Sequence, residues 1–204
     1  MDRTIAPKDA LRLLLDGNRR YARDEGAASA ASIGTRREKL AAAQRPFAVV
    51  LGCSGSRVPV EIVLDQSLGD LFVVRVAGNI LSDHVIGSIE YAVEHFGSAL
   101  VLVLGHSGCG AVTAAVKASD TRERQRSHVA SIVDAIRPAV EAARGHADVV
   151  AEAIAQNIRL VTATLQQMPP VIASARERGD LAVVGAQYDL ASGLVTVLCG
   201  DLSD

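Results

Sequence analysis

The sequence predicts an α/β domain with a mostly parallel central sheet. Short, continuously apolar runs recur along the chain, as expected of strands buried on both faces. Longer segments with apolar residues at helical spacing alternate with them, and such alternation predicts a parallel sheet flanked by helices. The chain has 204 residues, which suits a single domain, and 49% of them are apolar. With no Trp and only three Phe and three Tyr, the core must be mostly Val, Leu, Ile and Ala.

Residues 1–45 read as an N-terminal helical arm, interrupted near Gly26–Ser32 by Gly, Ala and Ser and suited to lie on another subunit. Residues 46–204 read as the α/β unit. Phe47–Leu51, Leu71–Val74, Leu100–Leu104 and Leu181–Val184 are the buried strands, and Leu194–Leu198 is a fifth strand at an edge. Between the second and third, Ser82 or Asp83 can cap a helix whose Ile86, Ile89, Val93 and Phe96 form one stripe and whose exit is Gly97. Ser127–Ala143 and Val149–Gln167 are two further helices, the second ended by Pro169-Pro170. The apolar face of Val149–Gln167 belongs either in the monomer core or in a subunit interface.

Charge and composition exclude several classes. There are 21 basic and 23 acidic side chains and no basic block, which argues against a nucleic-acid partner. No apolar run approaches the roughly 20 residues of a membrane helix. The N-terminal segment reads as an amphipathic helix and not as a signal peptide, so the expected location is cytoplasmic. Three cysteines without an export signal point to free thiols or thiolate ligands.

Two strand ends share a layout. VVLGC ends with Gly52 and Cys53; LVLGH ends with Gly105 and His106, and Cys109 follows three residues on. Ligands collect beyond the carboxyl ends of parallel strands, so neighbouring strands would bring Cys53, His106 and Cys109 together. Gly52, Gly105 and Gly108 would let the backbone turn tightly around an ion. Two thiolates and an imidazole suit zinc, and three protein ligands leave a position open, as in catalytic zinc sites. Taken singly, a buried cysteine is more often a small hydrophobe. Cys199 is read that way, as a core residue on the same face as Val195 and Val197. His95, His128 and His146 are read as solvated; His84 is either a surface residue or a proton relay.

With these residues in place, the sequence resembles the β-class carbonic anhydrases from about Leu11 to Gly200. The segments that carry the resemblance are CSGSRVPVE, GDLFVVRVAGN, SIEYAV, GHSGCGAV and VVGAQYDLASG. The resemblance implies one zinc ion on Cys53, His106 and Cys109 and the reversible hydration of carbon dioxide to bicarbonate and a proton. It implies a functional role for Arg57, and substrate-binding roles for Gln44, Phe72, Tyr91 and Gly110. Gln44 would contact substrate oxygen across a dimer interface; Phe72 and Tyr91 are otherwise ordinary core aromatics, and Gln44 a loop amide. Val50 stands where the allosteric subtype carries Trp, so the resemblance is to the plant-type, non-allosteric subtype. It also implies a homodimer or a homotetramer.

One position departs from the family pattern. Gly55 stands where the family carries an Asp that aims the nucleophile and pairs with Arg57. Glycine offers no acceptor, and losing one oriented hydrogen bond costs roughly 3 kcal/mol, about a hundredfold in rate. The expectation is an intact zinc site with weakened hydration and with small anions drawn to Arg57. Ser54 and Ser56 are the nearest substitutes in sequence. Hydrolysis of a sulfur analogue, carbonyl sulfide or carbon disulfide, and non-catalytic binding of zinc or bicarbonate are the competing readings.

Overall fold

The computed structural model describes residues 5–26, 33–121 and 127–202; most of the expected break at Gly26–Ser32 lies outside them. Five strands form one sheet: β1 (Ala48–Gly52), β2 (Leu71–Arg75), β3 (Leu100–His106), β4 (Ala182–Tyr188) and β5 (Val195–Gly200). Their order is β2-β1-β3-β4-β5. The first four run parallel, and β5 is an antiparallel edge strand. Every residue of β1 and β3 is buried, as their unbroken apolar runs require.

Helices cover both faces. On one face, α1 (Pro7–Ala22) and the short α3 (Val60–Val63) bury Leu11, Leu14 and Val63 against Val50, Leu102 and Val184. On the other, α4 (Asp83–Phe96), α6 (Val129–Ala142) and α7 (Val149–Gln167) bury Ile89, Ile136 and Ile158 against Val49, Val101 and Val103. The alternation along each strand decides which residue meets which layer. Helix α1 thus packs its apolar stripe on this chain's own sheet, and α7 lies in the core of this chain. The remaining helices are α2 (Ile33–Leu40), α5 (Gly110–Thr121) and α8 (Pro170–Glu177).

Local signals account for the boundaries. Ser82 is the cap of α4, its side chain accepting from Val85 N–H, and Gly97 ends that helix in the left-handed conformation. Pro169-Pro170 both ends α7 and starts α8, where Pro170 occupies the first turn, a favoured position because no donor is needed there.

The expected orientation of Cys199 is corrected. Ala186 pairs with Val197, but the next residue back, Gly185, pairs with Cys199, so a bulge at Leu198 shifts the register. Cys199 therefore sits over Gly185 on the α7 face, opposite to Val197.

Helix α7 approaches the sheet where two strands carry glycine. A Cβ on Gly105 would lie 2.5 Å from Ile158 Cδ1. A Cβ on Gly185 would lie 2.5 Å from Thr162 Oγ1 and 2.7 Å from Cys199 Sγ. The glycine of LVLGH thus serves helix packing and not a turn around an ion. The tight turn belongs to Gly108, at φ +62°. Gly185→Ala should overpack this seam and cost about 2 kcal/mol. Thermal unfolding should show a midpoint lowered by roughly 4–8 °C; an unchanged midpoint would mean α7 is free to move away.

Candidate metal centre

The pairing of β1 with β3 sets the site. Gly52 lies opposite Leu104, so Cys53 and His106 leave adjacent strands at the same end of the sheet. Cys109 follows through the Ser107-Gly108 turn and immediately precedes α5. The ligating atoms of Cys53, His106 and Cys109 all lie within 4.8 Å of one another, and the two sulfurs are 3.9 Å apart. The three side chains are 5%, 1% and 1% exposed.

Each donor is aimed by a neighbour. His106 Nδ1 lies 2.9 Å from the Ser107 carbonyl, and a carbonyl only accepts, so Nδ1 carries the proton. Nε2 is then left with a bare lone pair, buried and without any partner. Cys53 Sγ accepts from Gly78 N–H at 3.3 Å. Cys109 lies at the N-terminus of α5, where the backbone N–H groups of Val112 and Ala111 favour a negative sulfur. The two sulfurs lie 3.9 Å apart, within reach of a hydrogen bond from one to the other. The hydrogen bond with Cys109 pulls Cys53 well below the usual thiol range against the opposing effect of burial, while the same bond and burial push Cys109 up.

This donor set fits zinc. A buried imidazole nitrogen without a partner costs free energy unless something accepts its lone pair. Two thiols within 4 Å of each other and beside that nitrogen supply the softer donors zinc prefers. Among the described residues, no other cluster of three His, Cys, Asp or Glu side chains has this geometry. Neither Cys199 nor Asp83 belongs to it.

Gly55 borders the cluster. A Cβ there would lie 3.4 Å from His106 Nε2 and 3.9 Å from Cys53 Sγ, so any side chain at this position points into the cluster. Arg57 is exposed and donates to the Gly108 carbonyl at 3.3 Å, across the mouth of the site. Ser54 and Ser56 are exposed. Gly110, the first residue of α5, is exposed beside Cys109.

Three expected substrate residues sit elsewhere on the chain. Gln44 is exposed and precedes β1, at the opposite end of the sheet from Cys53. It lines a groove of about 940 Å³ with Leu40, Pro59, Ile62 and Leu68. Phe72 pairs in register with Val49, four residues before Cys53, and its ring lies 6.4 Å from that of Tyr91 and 6.1 Å from that of Phe96. Tyr91 is half-exposed. Val50 is buried within β1, and His84, His95, His128 and His146 are exposed.

Two contributors escape a sequence reading. Arg75 ends β2 opposite Gly52 and donates to the carbonyls of Cys53 at 2.9 Å and of Gly55 at 2.6 Å. An arginine ending an apolar strand was the available signal. The 3-10 turn Ala77–Asn79 brings the Gly78 N–H to Cys53, and no periodicity announces a three-residue turn.

Comparison with known proteins follows the same lines. The family model described as carbonic anhydrase matches residues 48–195. A carbonic anhydrase of Mycolicibacterium smegmatis is 42% identical over 190 residues, covering 93% of this chain and 92% of that protein. Carbonic anhydrase 2 of Mycobacterium tuberculosis is 38% identical over 188 residues, covering 92% and 90%. Among solved structures, a tetrameric β-carbonic anhydrase from Sordaria macrospora superposes with a TM-score of 0.75 at 26% identity, covering 95% of this chain and 99% of that one. The fold is thus that of a β-class carbonic anhydrase. The chain belongs to the carbonic anhydrase family.

One equivalent of zinc per chain is expected. Cys53→Ser and His106→Ala should each lower the zinc content of purified protein sharply, as read by elemental analysis. Full zinc occupancy in both variants would place the metal elsewhere.

Proposed function

We propose that this protein binds one zinc ion through Cys53, His106 and Cys109 and catalyses the reversible hydration of carbon dioxide to bicarbonate and a proton. The observation that carries this reading is the buried Cys-His-Cys cluster with an unpartnered His106 Nε2, in a chain similar to carbonic anhydrases over most of its length. Bound zinc lowers the pKa of water toward roughly 7 and so supplies a hydroxide nucleophile near neutrality.

The chain's own residues do the rest. The Ser107 carbonyl fixes the His106 tautomer, and the Gly78 N–H orients the Cys53 sulfur. Arg75 ties down the carbonyls of Cys53 and Gly55, which holds this edge of the site in shape. Arg57, held by Gly108, supplies positive charge at the mouth, where carbon dioxide enters as a neutral molecule and bicarbonate leaves as an anion. Gly55 supplies no acceptor to aim the attacking oxygen, so hydration runs below the rate an Asp there would support.

Gln44, Phe72 and Tyr91 join this function only through a second copy of the chain. Within one chain they lie toward the other end of the sheet. The proposed minimum unit is therefore a homodimer whose partner supplies these residues, and the tetrameric relative supports self-association. Sedimentation of active protein should show at least a dimer; an active monomer at assay concentration would remove these three residues from the pocket.

Gly55→Asp tests the catalytic account. The position has room: the nearest atoms to a new Cβ are at ordinary van der Waals distance, and the backbone is outside the left-handed region. Hydration measured by stopped flow should rise tenfold or more, each tenfold being about 1.4 kcal/mol of barrier. The gain should appear in kcat/KM, because aiming the nucleophile stabilises the transition state. Anion inhibition should weaken in the same variant as the carboxylate engages Arg57. Arg57→Ala should weaken inhibition without the gain in rate. A Gly55→Asp protein that binds zinc normally yet hydrates carbon dioxide no faster would overturn the missing-acceptor account, and parallel assay with carbonyl sulfide would then test for a different substrate.

A further inference from the structure

We infer that Asn157, on α7, is a positioning residue for the metal centre, acting through the Gly78 peptide on the Cys53 sulfur. The inference rests on the zinc reading above. Asn157 is 3% exposed, and its Nδ2 donates to the Gly78 carbonyl at 2.8 Å. The N–H of the same residue donates to Cys53 Sγ at 3.3 Å. One residue is thus held at its carbonyl by a core helix and presents its amide to a metal ligand.

The backbone at this point does not hold itself. Gly78 sits at φ +71° and Asn79 at φ +42°, two successive residues in the left-handed region. Glycine adopts this conformation freely, but Asn79 does so only because its surroundings enforce it. Packing encloses Gly78, since a Cβ there would lie 2.7 Å from Ile136 Cδ1 on α6 and 3.2 Å from Ala111 Cβ on α5. The Asn157 amide adds the directional part, because it fixes which way the carbonyl points. Without it the buried carbonyl loses its donor, and rotation of the adjoining peptides toward a new partner carries the N–H away from the sulfur.

An N–H···S bond withdraws charge from a thiolate and fixes its lone pairs, and groups that orient metal ligands this way typically govern affinity by 10–100-fold. Asn157 touches neither substrate nor metal. Its effect belongs in the metal's affinity and in the electronic state of Cys53.

The test compares the zinc- and cobalt-loaded protein with Asn157→Leu and Asn157→Ala, both of which lack the donor. Chelator competition should show zinc affinity lowered about tenfold in both. In the cobalt form, the sulfur-to-metal charge-transfer band should move to longer wavelength, because a thiolate that accepts no hydrogen bond gives up charge more readily. Folded variants with affinity within twofold of the parent and an unmoved band would overturn the inference while leaving the zinc reading intact. A parent protein that binds no zinc would defeat both. Should neither variant fold, the unaltered protein loaded with isotopically labelled cadmium decides. Through-bond coupling from the metal to the Gly78 amide proton, with slowed exchange of the Asn157 side-chain amide on loading, supports the relay; absence of either overturns it.

Discussion

The in-register parallel pairing of β1 with β3 is the constraint on which the structure depends. Both strands are buried along their whole length, so their register is fixed by two apolar layers and not by one. Ala48 pairs with Leu100 and Gly52 with Leu104. A slip of one residue would turn Val49 and Leu51 out of the α4–α7 layer and Val50 out of the α1 layer. The same slip would separate Cys53 from His106. Core packing and ligand placement are therefore one specification, enforced by residues that never touch the site.

Helix α7 extends that specification to the site's interior wall. Its close approach over Gly105 and Gly185 places Ile158 directly against the strand that ends in His106. One residue before Ile158, Asn157 reaches the Gly78 carbonyl. A looser seam would leave that amide short of its acceptor, so the small residues in β3 and β4 bear on the metal ligands at one remove. The buried Asn157 is tolerated in an apolar helix face because its donor is satisfied.

Much of this was legible in the sequence, for physical reasons. Continuous apolar runs marked the four parallel strands, most clearly β1 and β3, where burial on both faces leaves no polar alternation to blur them. Ser82 and Gly97 marked the ends of α4, and α7 ran over the expected Val149–Gln167. The Cys-His-Cys cluster was legible because strand ends in a parallel sheet converge. What escaped depends on register and on short irregular segments. The bulge at Leu198 reversed Cys199, and a bulge adds a residue without altering composition. The 3-10 turn at Ala77–Asn79 and the roles of Arg75 and Asn157 rest on hydrogen bonds to backbone, which any sequence position can offer. Gln44, Phe72 and Tyr91 were singled out by resemblance, and no pattern in one chain could say that they lie away from Cys53.

The energetics of the centre explain why a fold would place such groups there. His106 Nε2 is a buried acceptor without a partner, a cost of about 1–3 kcal/mol. The Cys53 and Cys109 sulfurs face each other at 3.9 Å, and full ionisation of both would add like-charge repulsion in a poorly solvated space. Apolar residues of similar size would remove both costs. A divalent cation would offset them together, accepting the imidazole lone pair and neutralising two thiolates, and would thereby couple metal binding to folding stability. The neighbouring donors act in the same direction: the Gly78 N–H donates to Cys53 Sγ, and the backbone at the start of α5 favours a negative Cys109. On the solvent side the pattern reverses, with Gly55 contributing no side chain and Arg57 only positive charge. Three side chains thus converge on one point, and the neighbouring Gly55 offers no fourth. That asymmetry suits a centre that exchanges small molecules, whereas a purely structural metal site would be closed by a fourth ligand.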